Sequence, residues 1–361
     1  MPQAIDHATR TILQRCKHIL IIQTKFTGDA IWSLPFVENI RQNLPEAAIT
    51  VAVKQGNEPL FSANPSVDDV IGLPYNQIKR GFTGFRRFIR FIKQLRATRP
   101  DCVIDLTDGD RGALMSFFSG ANLRFCFSDQ KQHRHLLYSH IIRPVTNRHM
   151  ALYFDDFLAA LGLEQHIRDI RLKISSDACK RMAHKTDNLF SHGTRKKILI
   201  HPGSRVPLHQ WGALHYARLL DILTPRYDVC IAGGPGEQTL VDEVLRHATT
   251  TPVLASTALS LDEFSALCSC ADIFVGNDSG PIHVAAASGT FVIGLYGPTS
   301  DSYSGPITRR KYIFEASRLQ CHPCVRVYCA YEHKKACLEL IAPEDVAQKI
   351  DDTLLAVEKM A

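Results

Sequence analysis

The most constraining feature of this 361-residue chain is its alternation between short apolar runs and amphipathic segments with helical spacing. Runs such as His18–Gln23 and Lys197–His201 are apolar at most consecutive positions, which is typical of strands buried on both faces. Strands of this kind, separated by helices, form parallel sheets with helices on each side. The sequence therefore predicts an α/β fold with doubly wound, Rossmann-like sheets.

The same spacing assigns the other regular elements. Further strands are predicted at Ala48–Val53, Asp69–Leu73, Cys102–Leu106, Tyr227–Ala232, Asp272–Val275 and Phe291–Tyr296. Helices are predicted over about Asp29–Leu44, Phe85–Arg96, Met150–Leu163, Trp211–Leu223, Leu261–Ser269, Ser279–Ser288 and Pro343–Met360. The alternation restarts after residue 195, so two successive α/β domains are expected.

A polar stretch at 175–195 separates the two halves and is the predicted domain boundary. We assign residues 1–178 to an N-terminal domain and residues 195–342 to a C-terminal domain. Residues 343–361 form a final helix that we expect to pack back towards the first domain. Two Rossmann-like domains facing a cleft bind ligands at the carboxyl ends of their strands.

Composition narrows the class of protein. Hydrophobic residues make up 45% of the chain and charged residues 22%, which argues for a folded globular protein. No run approaches the roughly 20 apolar residues of a membrane-spanning helix, and the N-terminal residues do not resemble a signal peptide, so a cytoplasmic protein is expected. A net charge of +6 is too weak to predict a nucleic-acid partner.

Basic residues are concentrated in the segment 79–99. It contains eight of the 42 Lys and Arg residues and none of the 36 Asp and Glu residues, and outside it the acidic residues outnumber the basic ones. One face of the predicted helix carries Phe85, Phe88, Ile89, Phe91, Ile92 and Leu95. The other face carries Arg86, Arg87, Arg90 and Lys93. The pattern fits either a core-packed helix with a solvated face or a cationic surface for an anionic membrane.

The turn after the first strand contains the first candidate site. Asp29 follows Gly28 at a strand-to-helix turn, where a carboxylate can accept a proton from a hydroxyl group. An acidic residue in the first helical turn also stabilises the helix dipole, so a capping role is the alternative. Lys25, in the same turn, can hold an anion.

A second candidate site is the stretch Gly276–His283, which follows a strand and opens a helix. The N–H groups at the start of this helix, beside Ser279 and Gly280, suit a phosphate. Asp278 is placed to bond sugar hydroxyls, and His283 lies one turn after Ser279 on the same side. The alternative is an ordinary capped turn with a core histidine.

Two other turns offer groups for a nucleotide. Gly203 and Ser204 can donate hydrogen bonds to a diphosphate, and Arg205 adds a positive charge. Glu237 ends a glycine-rich turn, where it either accepts bonds from a ribose diol or is a solvated acid. Both turns also fit plain structural connections.

Together these stretches resemble glycosyltransferase family 9, the ADP-heptose:lipopolysaccharide heptosyltransferases. The resemblance covers nearly the whole chain in the right order. Its motifs are TKFTGDAIWSLP, HPGSR followed by a Trp, AGGPGE, and FVGNDSGPIHVAAASGTFVIGLYGPTS. It implies a GT-B fold and an inverting transfer of heptose from ADP-heptose to the lipopolysaccharide inner core, without a metal or another cofactor.

The resemblance also implies roles for individual residues. Asp29 would be the general base that deprotonates the acceptor hydroxyl. The C-terminal domain would bind the donor through Gly203, Ser204, Arg205, Glu237, Leu259, Asp278, Ser279, Gly280 and His283. The N-terminal domain would bind an anionic acceptor through Lys25, Arg86, Arg87, Arg90, Lys93 and Arg111. Such an enzyme would work peripherally on the inner face of the inner membrane.

Two positions depart from the family pattern. His209 stands where the family usually has a lysine that neutralises the diphosphate, and Gln23 stands where many members have lysine. A catalytically weak nucleotide-sugar-binding subunit and an enzyme that uses a UDP-sugar are therefore alternatives. The triplet Asp108–Asp110 matches a pattern of metal-dependent transferases, but it is too short to predict a metal.

The 11 cysteines fall into two groups. Most lie in apolar contexts and are predicted to be buried thiols, among them Cys102, Cys230, Cys268 and Cys270. A cluster near the C-terminus comprises Cys321, Cys324, Cys329 and Cys337. Its leading C-x-x-C spacing fits a structural metal site, with loose thiols as the alternative. Similar clusters occur in family relatives that modify proteins, so a protein O-heptosyltransferase is the nearest enzymatic alternative.

Overall fold

The computed structural model describes residues 4–74, 78, 81–127, 136–143, 145, 148–187, 189–190, 195–316, 319–324, 329 and 336–358. The chain divides into two compact units, Met1–Lys173 and Ile174–Ala361. Parts of three predicted features lie outside the described residues: 79–80 of the basic segment, 188 and 191–194 of the boundary segment, and 359–361 of the final helix.

Unit 1 alternates strands and helices along the chain. Its strands are β1 (His18–Gln23), β2 (Ala48–Lys54), β3 (Asp69–Leu73), β4 (Cys102–Asp105), β5 (Leu123–Phe127) and β6 (His140–Ile142). Its helices are α1 (His7–Leu13), α2 (Thr27–Trp32), α3 (Leu34–Asn43), α4 (Pro59–Ser62), α5 (Gly81–Ala97), α6 (Asp110–Phe118) and α7 (Leu152–Ala160).

Unit 2 repeats the alternation. Its strands are β7 (Lys197–His201), β8 (Asp228–Ala232), β9 (Leu254–Ser256), β10 (Ile273–Asn277), β11 (Phe291–Tyr296) and β12 (Lys311–Glu315). Its helices are α8 (Ser176–Thr186), α9 (Ala213–Leu223), α10 (Gln238–His247), α11 (Leu261–Cys270), α12 (Gly280–Ala287), α13 (Asp301–Ser304), α14 (Ala336–Glu339) and α15 (Pro343–Glu358).

Both sheets pair their strands in parallel and share one strand order. The order is β3-β2-β1-β4-β5-β6 in unit 1 and β12-β11-β10-β7-β8-β9 in unit 2. Counted from the first strand of each unit, both follow the Rossmann order 3-2-1-4-5-6. The order reverses between β1 and β4 and between β7 and β10, and ligands of doubly wound folds bind beside the carboxyl ends of such strands.

The central strands are the ones that the sequence predicts best, because both of their faces are buried. Ile19–Ile22 of β1 and Ile273–Val275 of β10 are completely inaccessible to solvent. The outer strands β6 and β9 have only three residues each, and β12 begins and ends with charged residues. These three strands and β5 are absent from the predictions.

Two sequence predictions need correction. The single helix expected over Asp29–Leu44 is two helices, α2 and α3, which meet at Ser33. Pro35 has no N–H group to donate to the carbonyl of Ile31, so a continuous helix would lose a hydrogen bond there. Cys270 is exposed rather than buried. Helix α8 lies within the segment 175–195 and packs on α11, and the domain bounds expected around this segment stay a prediction.

The final helix α15 packs on α9 within unit 2. Val346 and Ile350 are completely buried in the hydrophobic core of this unit, together with Leu220 of α9. The expected return of residues 343–361 towards the N-terminal domain stays a prediction. None of the described helices is long and apolar enough to span a bilayer.

Candidate functional site

The first cluster of predicted residues lies at the carboxyl ends of β1 and β4, where the strand order of unit 1 reverses. Lys25 follows β1, and Asp29 lies in the first turn of α2. Both residues line a cavity of about 120 Å³. The rest of its described lining consists of Trp32, Leu106, Asp108, Phe127, Met150, Tyr153, Phe154 and Phe157. A few charged groups against a mainly aromatic wall are typical of a small-molecule site.

Gln23 shapes the loop that carries these charges. Its side chain is fully buried; the amide oxygen accepts the N–H of Lys25 at 3.3 Å, and the amide nitrogen donates to the carbonyl of Asp29 at 3.4 Å. A neutral amide can do both, whereas a lysine here would have to bury an ammonium group. Glutamine at this position, which departs from the expected family pattern, therefore stabilises the loop.

The remaining acidic and basic candidates of unit 1 occupy different places. Asp108 has a left-handed backbone (φ +49°), which aspartate tolerates, and lines the cavity, whereas Asp110 is exposed. Arg111 is half-buried on α6 and is absent from the described lining of the cavity. Within the described ranges, no group of three or more His, Cys, Asp or Glu residues could hold a metal ion.

Helix α5 separates its charged and apolar residues much as predicted. Arg86, Arg87, Arg90 and Lys93 are all exposed. Phe91, Ile92 and Leu95 are buried in the core of unit 1. Phe85 and Ile89 are exceptions, since 61% and 38% of their surfaces remain exposed. The four cations do not line the described cavity that contains Asp29.

Asp105, which is not among the predicted site residues, ends β4 one residue before Leu106 of the cavity lining. Its completely buried carboxylate accepts the O–H of Tyr138 at 2.5 Å and the N–H of Thr107 at 2.8 Å. Burial raises the pKa of this carboxyl to about 6, although its hydrogen bonds and Lys25 act in the opposite direction. Thr107 in turn accepts the N–H of Thr24 at 3.2 Å. A charged residue ending an apolar strand was the available sequence signal.

Unit 2 has an equivalent connection between the loops after β7 and β10, made by Asn277. This residue is completely buried. Its amide nitrogen donates to the carbonyls of Pro202 and Gly203 at 2.8 and 3.2 Å, and its oxygen accepts the N–H of Trp211 at 3.0 Å. Asn277 therefore fixes the turn that contains three predicted donor-binding residues, Gly203, Ser204 and Arg205, although Asn277 is not itself among the predicted site residues.

Asp278 and His209 come together beside this turn. His209 Nδ1 lies 3.6 Å from Asp278 Oδ2, and the Thr299 hydroxyl donates to the same carboxylate oxygen at 2.5 Å. Burial raises the pKa of Asp278, while the bond from Thr299 and the nearness of His209 favour its charged form. The residue that replaces the family lysine is thus next to a candidate sugar-binding carboxylate.

Glu237 folds back over the turn after β7. Its carboxylate accepts the N–H of Gly234 at 2.6 Å and lies 3.4 Å from His201 Nε2. A Cβ atom at Gly203 would be 2.1 Å from Glu237 Oε1, so only glycine leaves room for this carboxylate. Burial lowers the pKa of His201, which is therefore neutral near pH 7. The Glu237 side chain is 25% exposed and remains accessible to a ligand.

Helix α12 begins at the same end of the sheet. Ser279 is its N-cap residue, yet the side chain makes no capping bond and donates instead to the Asn277 carbonyl at 3.4 Å. Gly280 is the first helical residue, and His283, one turn on, is only 4% exposed. A helix start that lacks a side-chain cap presents the positive end of the helix dipole, which suits an anion.

The other donor candidates differ in exposure. Ser204 is buried, and its carbonyl accepts the amide of Gln210 at 2.8 Å, whereas Arg205 is exposed. Leu259 is half-buried in the loop before α11. The geometry thus brings most donor candidates to the carboxyl ends of β7, β8 and β10, and their ligand contacts stay predictions.

All four cysteines of the cluster are described, whereas 325–328 and 330–335 between them are not. Cys321 is exposed and Cys324, Cys329 and Cys337 are half-buried. Burial raises the pKa of the Cys337 thiol, and the nearby Cys329 and Cys324 add to this shift. A metal at this cluster stays a prediction.

Comparisons with known proteins agree with this architecture. The family model described as "Glycosyltransferase family 9 (heptosyltransferase)" matches residues 88–335, more than half of the chain. Lipopolysaccharide heptosyltransferase 3 of Escherichia coli K12 is 28% identical over 330 residues, which cover 89% of this chain and 94% of that relative.

Two solved structures are similar over almost the whole chain. A glycosyl transferase family 9 protein from Veillonella parvula superposes with a TM-score of 0.80 at 23% identity, covering 94% of this chain and 97% of that one. ADP-heptose lps heptosyltransferase II of E. coli gives a TM-score of 0.75 at 23% identity, covering 94% and 99%. These likenesses confirm the predicted α/β class and GT-B fold. The chain therefore belongs to glycosyltransferase family 9, the heptosyltransferases, and is a glycosyltransferase.

Proposed function

We propose that this enzyme transfers heptose from ADP-heptose to the inner core of lipopolysaccharide, with inversion at the sugar and without a divalent cation. The similarity to lipopolysaccharide heptosyltransferase 3, which extends over 94% of that relative, carries the proposal. That relative acts on lipopolysaccharide, which suggests the acceptor class, and the E. coli structure is that of an ADP-heptose heptosyltransferase, which suggests the donor.

Asp29 is the general base in this proposal. Its carboxylate takes the proton of the acceptor hydroxyl, and the freed oxygen attacks the anomeric carbon of the donor. The bond from that carbon to the diphosphate breaks, and ADP leaves with the electron pair. A single displacement from the opposite face inverts the configuration. The position of Asp29 in a cavity with Lys25 and an aromatic wall supports this role.

Unit 2 binds the donor in this proposal. Gly203, Ser204 and the start of α12 hold the diphosphate, and the helix dipole stabilises the charge that builds up on the departing ADP. Glu237 binds the ribose, and Asp278 contacts the heptose. Their shared location at the carboxyl ends of β7, β8 and β10 supports the assignment.

The acceptor is bound by unit 1, and helix α5 holds the enzyme against the anionic membrane that contains it. Exposed Arg86, Arg87, Arg90 and Lys93 favour such a surface by about 1 kcal/mol each. Phe85 and Ile89, which are exposed beside these cations, can contact the lipid interface. Arg111 and Lys25 are the remaining acceptor contacts.

Transfer assays with a panel of truncated lipopolysaccharide cores test the proposal. We expect one core to accept heptose from ADP-heptose, with an inverted linkage in the product and full activity in excess EDTA. Transfer only to a protein acceptor, transfer only from a UDP-sugar, or ADP binding without any turnover would each contradict it.

Sedimentation with vesicles tests the membrane role. The double variant Arg86→Glu/Arg90→Glu should bind anionic vesicles less tightly than the wild type, and the loss should shrink at high salt. Lys180→Glu/Arg309→Glu changes the same charge at exposed sites of unit 2 and is the matched control. Equal losses in both double variants would show that α5 has no special role.

A further inference from the structure

A chain of hydrogen bonds joins the two loops at the point where the strand order of unit 1 reverses. Asp105 accepts the N–H of Thr107 at 2.8 Å, and the Thr107 hydroxyl accepts the N–H of Thr24 at 3.2 Å. The two threonine hydroxyls are also 3.2 Å apart. We call these three residues the Asp105 bridge. Thr24 is the neighbour of Lys25, and α2 with Asp29 begins three residues later.

The carboxylate of the Asp105 bridge is held on several sides. Tyr138 donates to Asp105 Oδ2 at 2.5 Å, and a Cβ atom at Gly112 would lie 2.1 Å from the same oxygen. Among the described residues, the titratable groups that shift the pKa of this carboxyl are Tyr138, itself next to Cys126 of β5, and Lys25 from the loop after β1. The carboxylate is therefore fixed by Tyr138 and the close approach of Gly112, and the cation of Lys25 favours its charged form.

A buried carboxylate is an unfavourable way to stabilise a fold. Removing a charge from water is costly, and an apolar side chain of similar volume often serves the fold as well or better. Asp105 is completely buried, so it cannot touch an acceptor or a donor. Its hydrogen bonds instead lead to the loops that carry Lys25, Asp29 and Asp108, all of which line the cavity.

We propose that Asp105 is a positioning residue for glycosyl transfer. Its carboxylate, acting through Thr107 and Thr24, fixes the loop of Lys25 and the start of α2 so that Asp29 faces the acceptor hydroxyl. The inference rests on the proposed role of Asp29 as the base. It assigns to Asp105 an effect on the rate of transfer and none on donor binding, which is the task of unit 2.

Substitution of Thr107 tests the bridge without disturbing the buried charge. Thr107→Val keeps the shape but removes the hydroxyl, and we expect kcat to fall roughly 10- to 100-fold while KM for ADP-heptose stays constant. Thr107→Ser restores the hydroxyl and should recover most of the rate. Thr186→Val, which removes a buried hydroxyl from α8 in unit 2, is the matched control and should keep wild-type kcat. Equal kcat in Thr107→Val and the wild type would overturn the proposal.

The charge of the carboxyl is tested by Asp105→Asn, which keeps the size of the side chain. We expect the ratio of wild-type to variant kcat to be largest above pH 7 and to approach one below pH 5, because the wild-type carboxyl, with its pKa of about 6, is then protonated. Asp29 is present in both proteins, so its own titration cancels in this ratio. A ratio that does not change with pH would overturn the proposal.

Amide hydrogen exchange separates this inference from the proposed function. Peptides covering residues 22–29 should exchange faster in Thr107→Val than in the wild type or in Thr186→Val, whatever substrate the enzyme uses. If the wild type transfers no heptose, the proposed function fails. Unchanged exchange in these peptides would overturn the bridge, whether or not the enzyme transfers heptose. Faster exchange would support the positioning of the loop by Thr107 independently of the reaction.

Discussion

In each unit, one side chain helps to connect the loops that follow the two strands between which the strand order reverses. The two units use different chemical groups for this connection. Unit 2 uses Asn277, a neutral amide that bonds directly to the loop after β7 and to Trp211. Unit 1 uses Asp105, an acid whose effect reaches the loop after β1 through Thr107. The amide needs no ionisation, so the connection that Asn277 makes should be insensitive to pH, whereas the connection that Asp105 makes should depend on it.

In each unit, a glycine makes room for a carboxylate. Gly203 accommodates Glu237 in unit 2, and Gly112 accommodates Asp105 in unit 1. Glu237 keeps a quarter of its side chain exposed, whereas Asp105 has none. The first carboxylate can therefore touch a ligand, and the second acts only through other residues.

The largest expected effect comes from replacing the amide of unit 2 with a charge. In Asn277→Asp a buried carboxylate would face the carbonyls of Pro202 and Gly203, and we expect the free energy of unfolding to fall by about 4 kcal/mol. Urea denaturation and ADP binding measure the loss of stability and of the donor site. Asn122→Asp, at an exposed position of unit 1, is the control and should change neither. A stable Asn277→Asp variant with normal ADP affinity would show that the amide of Asn277 is not needed to hold the turn after β7.

Removing the charge of unit 1 should have the opposite effect on stability. The folded state raises the pKa of Asp105 from its ordinary value near 3.8 to about 6, so the stability contributed by this group is complete below pH 4 and is lost as the pH rises through 6. At pH 7.5 this loss amounts to about 3 kcal/mol at most. Relative to the wild type, Asp105→Asn should therefore become more stable between pH 4 and pH 7 in urea denaturation. A constant difference across this range would contradict the raised pKa.

The two glycines offer a matched pair of substitutions. Gly203→Ala should displace Glu237 and weaken ADP binding about tenfold, whereas Gly112→Ala should displace Asp105 and lower kcat about tenfold at unchanged ADP affinity. Gly109→Ala is the control, because its added Cβ meets open space and its φ of −156° suits any residue. If both glycine variants weakened ADP binding, or both lowered only kcat, Glu237 and Asp105 would not have the separate roles described above.

The smallest effect concerns the missing lysine of the family pattern. His209→Lys places a permanent charge beside Asp278 and the turn after β7, and we expect ADP to bind about fivefold more tightly. His215→Lys adds the same charge on the neighbouring helix α9 and should change the affinity little. Isothermal titration measures both. Equal tightening in the two variants would mean that position 209 has no specific role.

The fold was predictable because burial leaves a strong pattern in the central strands. Ile19–Ile22 and Ile273–Val275 are apolar throughout since helices cover both faces of each sheet. Short outer strands such as His140–Ile142 carry no such pattern. The break between α2 and α3 at Ser33 had a local signal, Pro35, whose effect the helical periodicity concealed.

The sites were predictable where a motif contains the chemical groups and unpredictable where tertiary contacts define the role. Asp29 and Asp278 stand at turns that the sequence marks with glycine and a following helix. Asp105 and Asn277 act through partners distant in sequence, such as Tyr138 and Pro202. A charged residue at the end of an apolar strand marks Asp105 as unusual, but no local spacing reveals the contacts of either residue.

The central claim is that unit 1 supplies the base and unit 2 binds the donor, and Asp29→Asn tests it most directly. The dissociation constant of ADP and the kcat of heptose transfer should be measured on the same preparation. We expect kcat to fall by roughly 10²- to 10⁴-fold while ADP binding stays within twofold of the wild type. A variant that keeps its kcat, or one that loses ADP binding together with its activity, would contradict this division of roles.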